Sequence, residues 1–352
     1  MIDQQSWLKA WYEGRWWLWL LLPVLLPLSW LFSALAASRR QTLSTQAKPL
    51  SVPVIVVGNI AIGGTGKTPL LISMVKHLQQ KGYKPGVISR GYGAEAPHYP
   101  YSVTPQSPAE HGGDEPLLIA METACPVVVD ANRVQAAEHL ISEFECDVIL
   151  SDDGLQHYKL SRQFEICVVD GARGVGNGFC LPAGPLREPS SRLAQVDCVV
   201  VNGEVSDAIA QQATTEPFAM QLKPAYWGQV VEPLSQYDLQ PLPWDDEAII
   251  RSNAKTNTNE LEAVTGIGNP ERFFNTLSNF GLMFNTRVFP DHYQFCAEDL
   301  IYAENNVLLM TAKDAVKCKS FAKSNWWYLS VQAKLPQGFW QSLESFMENS
   351  NE

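Results

Sequence analysis

Cysteine never occurs here in a metal-binding or disulfide-forming pattern: the seven residues show no Cys-x-x-C and no Cys/His cluster. A zinc site or a disulfide frame is therefore not expected, and runs such as Ile166-Cys167-Val168 read as reduced, buried thiols of a cytosolic protein. The N-K-x-D and D-x-x-G signatures of switch-type GTPases are missing, and Thr311-Ala312-Lys313-Asp314 has the wrong spacing to recognise guanine. The His-Arg-Asp and Asp-Phe-Gly pair of protein kinases is missing as well. Positive charge is scarce: 26 Lys and Arg against 37 Asp and Glu leave a net charge of −11, which argues against a nucleic-acid partner. No internal repeat or low-complexity tract interrupts the 352 residues, a length that allows two domains or one large one.

The charge is unevenly spread. Residues 1–48 carry five basic and two acidic groups, a net of +3, so the remaining chain carries −14. Within that basic segment Trp16 to Ala37 runs 22 residues without a charge, long enough to cross a bilayer. Pro23 and Pro27 would kink such a helix. Tryptophans at 7, 11, 16, 17, 19 and 30 favour the membrane interface, so a spanning and an interfacial helix both fit. Ala34-Leu35-Ala36 resembles a signal-peptide cleavage site, but the prolines and tryptophans suit a signal sequence badly. Arg39, Arg40 and Lys48 put the following chain at an anionic membrane surface on its cytoplasmic side.

The strongest feature lies just beyond, at Pro53 to Leu71. Five apolar residues predict a buried strand, and Ala61, Ile62, Gly63, Gly64, Thr65, Gly66, Lys67 and Thr68 follow as a glycine-rich loop that opens a helix. This order matches the phosphate-binding loop of nucleotide triphosphatases. Glycines let successive N–H groups converge on phosphate oxygens, and the free N–H groups of a helix start add partial positive charge. Lys67 would reach the β- and γ-phosphates of ATP, and the Thr68 hydroxyl would ligate Mg²⁺. One departure is visible: Ala61 stands where the pattern has its first glycine.

Downstream, short apolar strands alternate with helices up to about residue 215. This predicts a doubly wound parallel sheet whose ligands bind beyond the carboxyl ends of the strands. From 216 to 260 proline, tryptophan and glutamine become frequent, then polar residues, and a linker is expected there. A second, smaller α/β unit is expected over 261–352. The expected order is thus a membrane-associated helix over 1–48, a P-loop core over 49–215, the linker and the smaller domain.

Several acidic turns could carry chemistry. Asp152-Asp153 ends an apolar strand, as a Walker-B carboxylate does, and could hold Mg²⁺. Gly112-Gly113-Asp114-Glu115-Pro116 places two carboxylates at a glycine turn, which also suits an ordinary helix N-terminus. Asp291-His292 pairs a carboxylate with an imidazole, in a pattern also common in surface loops. Arg133, Arg173, Arg187 and Arg192 could each bind a phosphate or simply be solvated.

Together these segments resemble the tetraacyldisaccharide 4′-kinase family, the lipid A 4′-kinases of Gram-negative bacteria. The resemblance rests on Val56-Val57-Gly58-Asn59 with Gly63 to Pro69, Ser89-Arg90-Gly91-Tyr92-Gly93, Gly113-Asp114-Glu115-Pro116, and Asp152-Asp153-Gly154-Leu155-Gln156-His157. It continues in Leu181 to Glu188, Gly266-Ile267-Gly268-Asn269-Pro270 and Asp291-His292. Ala312 departs from it, standing where the family tends to carry an acid before Lys313-Asp314-Ala315. The resemblance implies two α/β domains and transfer of the ATP γ-phosphate, with Mg²⁺, to the 4′-hydroxyl of an amphiphilic disaccharide lipid at the cytoplasmic face of the inner membrane. No obligate protein partner is implied. It assigns the general base to Asp114 assisted by His292, adds Lys67 and Asp153 to the catalytic set, and leaves Thr68, Glu115 and Asp152 as metal candidates. A soluble kinase of a polar metabolite and a membrane-tethered ATPase regulator are the rival readings of the same residues.

Overall fold

The structure, a computed structural model, describes residues 4–240, 242–243, 261–303 and 306–350. In chain order it runs α1 (Gln4–Glu13), α2 (Trp16–Ser44), β1 (Val54–Gly58), α3 (Lys67–Gln80), β2 (Pro85–Ser89), β3 (Tyr101–Val103), α4 (Ala109–Gly112) and α5 (Asp114–Thr123). There follow β4 (Val127–Val129), α6 (Arg133–Phe144), β5 (Val148–Asp152), β6 (Phe164–Asp170), β7 (Cys198–Asn202), α7 (Asp207–Ala210), β8 (Phe218–Gln229) and β9 (Gln236–Tyr237). The last elements are β10 (Leu261–Thr265), α8 (Pro270–Asn279), β11 (Phe284–Val288), β12 (Val307–Thr311), α9 (Ala312–Cys318), β13 (Trp326–Lys334) and α10 (Gln337–Ser350).

These elements form two compact units, and neither is continuous in sequence. The first comprises residues 1–90, 132–221 and 334–352; the second comprises 91–131 and 222–333. This differs from consecutive domains in two places. Residues 91–131 join the second unit because Leu118 of α5 packs on its core. The chain's end joins the first, where Phe339 and Phe346 of α10 meet Phe218 and Phe164. Within the expected linker, Phe218–Gln229 forms a strand in spite of Pro224. Residues 241 and 244–260 of that linker lie outside the described residues.

In the first unit five parallel pairings give the strand order β2-β5-β1-β6-β7-β8. β1, β2, β5 and β7 are buried throughout, as strands covered on both faces must be. The chain leaves β1 toward β2 on one side and returns to β6 on the other, so the order reverses at β1, and the phosphate loop follows that strand.

α2 is long and apolar enough to cross a membrane, by length and composition. Leu18 and Leu22 pack with Ala10, Trp11 and Ala183, and the Ser29 hydroxyl donates to the Cys180 carbonyl at 2.8 Å. On its other side Trp16, Trp19, Val24, Trp30, Leu31 and Leu35 are exposed. Pro23 and Pro27 sit inside one unbroken helical segment.

The second unit has a parallel sheet in which β10 lies between β11 and β12, and β12 pairs with β13. Its residues alternate between two cores with period two. Val264, Leu308, Met310, Trp326 and Tyr328 face one; Ala263, Leu309, Trp327 and Leu329 face the other, with Phe273 and Leu277 of α8. β3 and β4 pair antiparallel beside α4 and α5 in this same unit.

Candidate active site

The phosphate loop lies in the first unit, at the carboxyl end of β1. Ala61 forms an antiparallel bridge with Leu186, an extended conformation in which a Cβ costs nothing, so the missing glycine is structurally silent. Gly66 does need its freedom: its φ is +94°, and a Cβ there would come within 2.5 Å of the Asn202 amide nitrogen. In a trans peptide the carbonyl and the following N–H point in opposite directions. Asn59 Nδ2 donates to the Gly63 carbonyl at 3.3 Å and Asn202 Nδ2 to the Thr65 carbonyl at 3.0 Å. Both amides thereby turn the Gly64 and Gly66 N–H groups to the opposite side of the loop. The result is a set of donors suited to anionic oxygens, opening into α3 with Lys67 at its first position.

Asp152 ends β5 beside β1, opposite Val57. It is buried, accepts from Ser89 Oγ at 3.2 Å, and its backbone carbonyl accepts from Arg133 Nη2 at 3.2 Å. Asp153 bridges two cations: Lys67 Nζ at 3.4 Å and Arg187 Nη1 at 2.9 Å. Burial pushes the Asp153 carboxyl up, but Lys67 and Arg187 outweigh it and hold the group well below the usual carboxylate range. Asp153 also takes a left-handed backbone, φ 47°, which a short polar side chain tolerates. His157 is kept neutral near neutral pH: burial, then Arg133 and Arg90, push it down to about 4.

The residues expected to act as base and partner form a separate cluster, wholly within the second unit. Asp114 opens α5 after Gly113, is buried, and accepts its neighbour Glu115's N–H at 2.9 Å. His292 Nδ1 lies 3.2 Å from Asp114 Oδ2 in an ion-pair contact, with Tyr92 against the imidazole at 5.4 Å between ring centroids. Like Asp153, His292 has a left-handed backbone, φ 60°. The other two non-glycine residues of this kind among the described residues, Ala124 and Glu145, merely end helices. Such strain persists only where the surroundings over-determine it.

Lys313 completes the cluster, 2.8 Å from Glu115, 3.7 Å from Asp114 and 4.0 Å from Asp291. Its ammonium also lies 3.4 Å from His292 Nε2. An ammonium only donates, so this contact favours the neutral imidazole with its Nε2 lone pair toward Lys313 and its proton on Nδ1. Burial alone would raise Asp114, yet the His292 contact and the Lys313 charge bring it down to about 2. The Asp114 contact raises His292 above its ordinary value. Burial disfavours the Lys313 charge, but Glu115, Asp114 and Asp291 more than compensate and raise it.

Of the residues expected in the catalytic set, Lys67 meets Asp153 in the first unit and Asp114 meets His292 in the second. The Asp114–His292 contact needs no domain closure, because both residues belong to the same unit. Sequence reasoning missed Lys313, Asn59 and Asn202 and left Arg187 undecided. The Lys313-Asp314-Ala315 match to the family pattern was the available signal for the first.

No group of three or more His, Cys, Asp or Glu side chains gathers as a metal site among the described residues. Mg²⁺ does not need one: it keeps several waters and takes one or two carboxylates plus substrate phosphates. The Thr68 hydroxyl and the Asp152 carboxylate are hard oxygen donors of the right kind. The Glu115 carboxylate is engaged by Lys313.

Comparison with known proteins gives the chain's family. The family model described as tetraacyldisaccharide-1-P 4′-kinase matches residues 21–348. A tetraacyldisaccharide 4′-kinase of Legionella pneumophila (strain Lens) is 43% identical over 341 residues, covering 97% of both chains. One of Nitrosococcus oceani is 45% identical, covering 97% of this chain and 94% of its own. Among solved structures, LpxK from Aquifex aeolicus in complex with ATP superposes with a TM-score of 0.70 at 25% identity, covering 92% of this chain and 98% of that one.

Proposed function

This chain belongs to the tetraacyldisaccharide-1-phosphate 4′-kinase family, and on that premise we propose that it transfers the γ-phosphate of ATP to the 4′-hydroxyl of a tetraacylated disaccharide 1-phosphate. The observation that carries the reading is the family match over residues 21–348, a span that takes in the phosphate loop, Asp114 and His292. The loop N–H groups and Lys67 hold the β- and γ-phosphates, and Lys67 offsets charge on the phosphoryl group in flight. Thr68 and Asp152 would hold Mg²⁺, which would supply charge neutralisation at the phosphate oxygens. Asp153 keeps Lys67 and Arg187 extended beside the loop.

The sugar hydroxyl is too weak an acid to ionise at neutral pH, so a base must take its proton as the O–P bond forms. Asp114 fills that role. A carboxylate held at about 2 is a feeble base alone; His292 orients it and, by its own protonation state, sets its basicity. The exposed apolar side of α2, followed by Arg39, Arg40 and Lys48, suits the cytoplasmic face of the inner membrane, where such a lipid resides. Incubating detergent-solubilised protein with radiolabelled ATP and the disaccharide lipid tests the reading. Label should appear at the 4′-position, and a protein that binds ATP yet never labels this acceptor refutes it.

A further inference from the structure

Two of the loop carbonyls are held by asparagines of the strand ends. A third, that of Ile62, is held from another part of the chain: the Tyr12 hydroxyl donates to it at 3.3 Å. Tyr12 belongs to α1, the helix that precedes the long apolar α2. Ile62 has its own N–H bonded to the Pro185 carbonyl at 2.9 Å, so both faces of this residue's backbone are fixed. By the same peptide geometry, a carbonyl pinned toward Tyr12 turns the Gly63 N–H to the opposite side. Gly63 is the first glycine of the loop, with φ +101°.

Tyr12 is itself firmly placed. The Arg173 guanidinium lies over its ring, 5.6 Å from the centroid. One residue earlier, the Trp11 carbonyl accepts from the Asn177 N–H at 3.1 Å. Ala10 and Trp11 share an apolar cluster with Ala183, against which the Ile62 side chain also packs. The contact therefore runs from one ordered segment to another, and all of it lies in the first unit.

We propose that α1 is a working part of the nucleotide site and that Tyr12 is a positioning residue for the phosphate loop, fixing the Ile62–Gly63 peptide so that its N–H serves the phosphates. The inference rests on the reading that this loop binds ATP. It gives the N-terminal segment a second role beside its apolar exposure, because the helix next to α2 also sets the loop's geometry.

The test compares ATP dissociation constants of the full-length protein, Tyr12→Phe and Tyr12→Ala, alongside acceptor KM, thermal midpoint and sedimentation with phosphatidylglycerol vesicles. Tyr12→Phe removes one hydrogen bond and keeps the ring under Arg173. It should weaken ATP binding by about 2- to 10-fold, the range set by one net hydrogen bond. Acceptor KM, thermal midpoint and vesicle binding should stay unchanged, and Tyr12→Ala should weaken ATP further. Unaltered ATP affinity in Tyr12→Phe overturns the proposal, as does a loss that merely follows a fall in thermal midpoint. A wild-type protein that binds ATP but phosphorylates no disaccharide lipid would sink the assigned function and leave the role of Tyr12 standing. One that binds no ATP would sink both.

Discussion

A single lysine changes the setting of the proposed Asp114–His292 pair. Lys313 neutralises part of a cluster of three carboxylates and, after the His292 contact, helps hold the Asp114 carboxyl below the usual carboxylate range. Protonating His292 then places a cation against that carboxylate and weakens it as a base. The pKa of His292 is raised above 6.5, so kcat/KM should climb as pH rises through a value above 6.5. In His292→Gln that limb should vanish from the pH profile. The stability linkage of Asp114 runs in the same direction, at lower pH. Its folded pKa is depressed, so its contribution is complete above about 3.9 and is lost as pH falls toward about 2. Asp114→Ala and His292→Ala should each lower kcat by roughly 10²–10⁴-fold with little change in ATP affinity. The double variant should be scarcely worse than the poorer single one, and fully multiplicative losses in steady-state assays would show independent roles. Lys67→Ala should cost about 100-fold or more in kcat while the fold survives, since Asp153 keeps Arg187 as a partner. Residues of this kind were legible where the motif is local, as in Gly63 to Thr68, Asp152-Asp153 and Asp291-His292. Lys313, Asn59 and Asn202 were not, because what they do is set by partners distant in the chain; Lys313 and Glu115 are 198 residues apart.

Among the elements, α1 and α2 have two unlike sides. Ala10, Trp11, Leu18 and Leu22 are buried with Ala183, each larger apolar side chain contributing about 1.5–3 kcal/mol by its removal from water. The tryptophans at 16, 19 and 30 are exposed. Deleting residues 1–40 should therefore damage more than membrane attachment: it strips cover from Ile62 and should lower both thermal midpoint and ATP affinity. Replacing Trp16, Trp19 and Trp30 together by glutamine is the cleaner experiment. Vesicle sedimentation should drop while the thermal midpoint holds, and unchanged sedimentation would refute the membrane role of that side. The apolar run itself was plain in the sequence. Its second, buried side was not, since periodicity is invisible where nearly every residue is apolar. β8 was hidden for a related reason: Pro224 and the polar residues around it mask a strand whose burial comes only from its neighbours.

At the scale of the whole molecule, the alternation of strands and helices announced a parallel α/β fold, and the phosphate loop located its switch point. How the segments are shared between units was beyond reach, because turns and helix starts look alike whether the chain stays in one unit or leaves it. The first unit is finished only by α10, whose Trp340 stacks on His77 at 4.4 Å and whose Glu344 bonds the same imidazole at 2.8 Å. Protein synthesis runs from the other end. A ribosome releases β1, the phosphate loop and α3 early, yet Phe164 and Phe218 wait for Phe346 and Phe339 until the final helix has left the exit tunnel. For most of translation the ATP-handling unit must persist as an unfinished sheet with bare aromatic side chains. A stop codon after Ala333 should consequently yield aggregated protein that chaperones retain, and soluble, ATP-binding product from such a truncated gene would contradict this order of assembly.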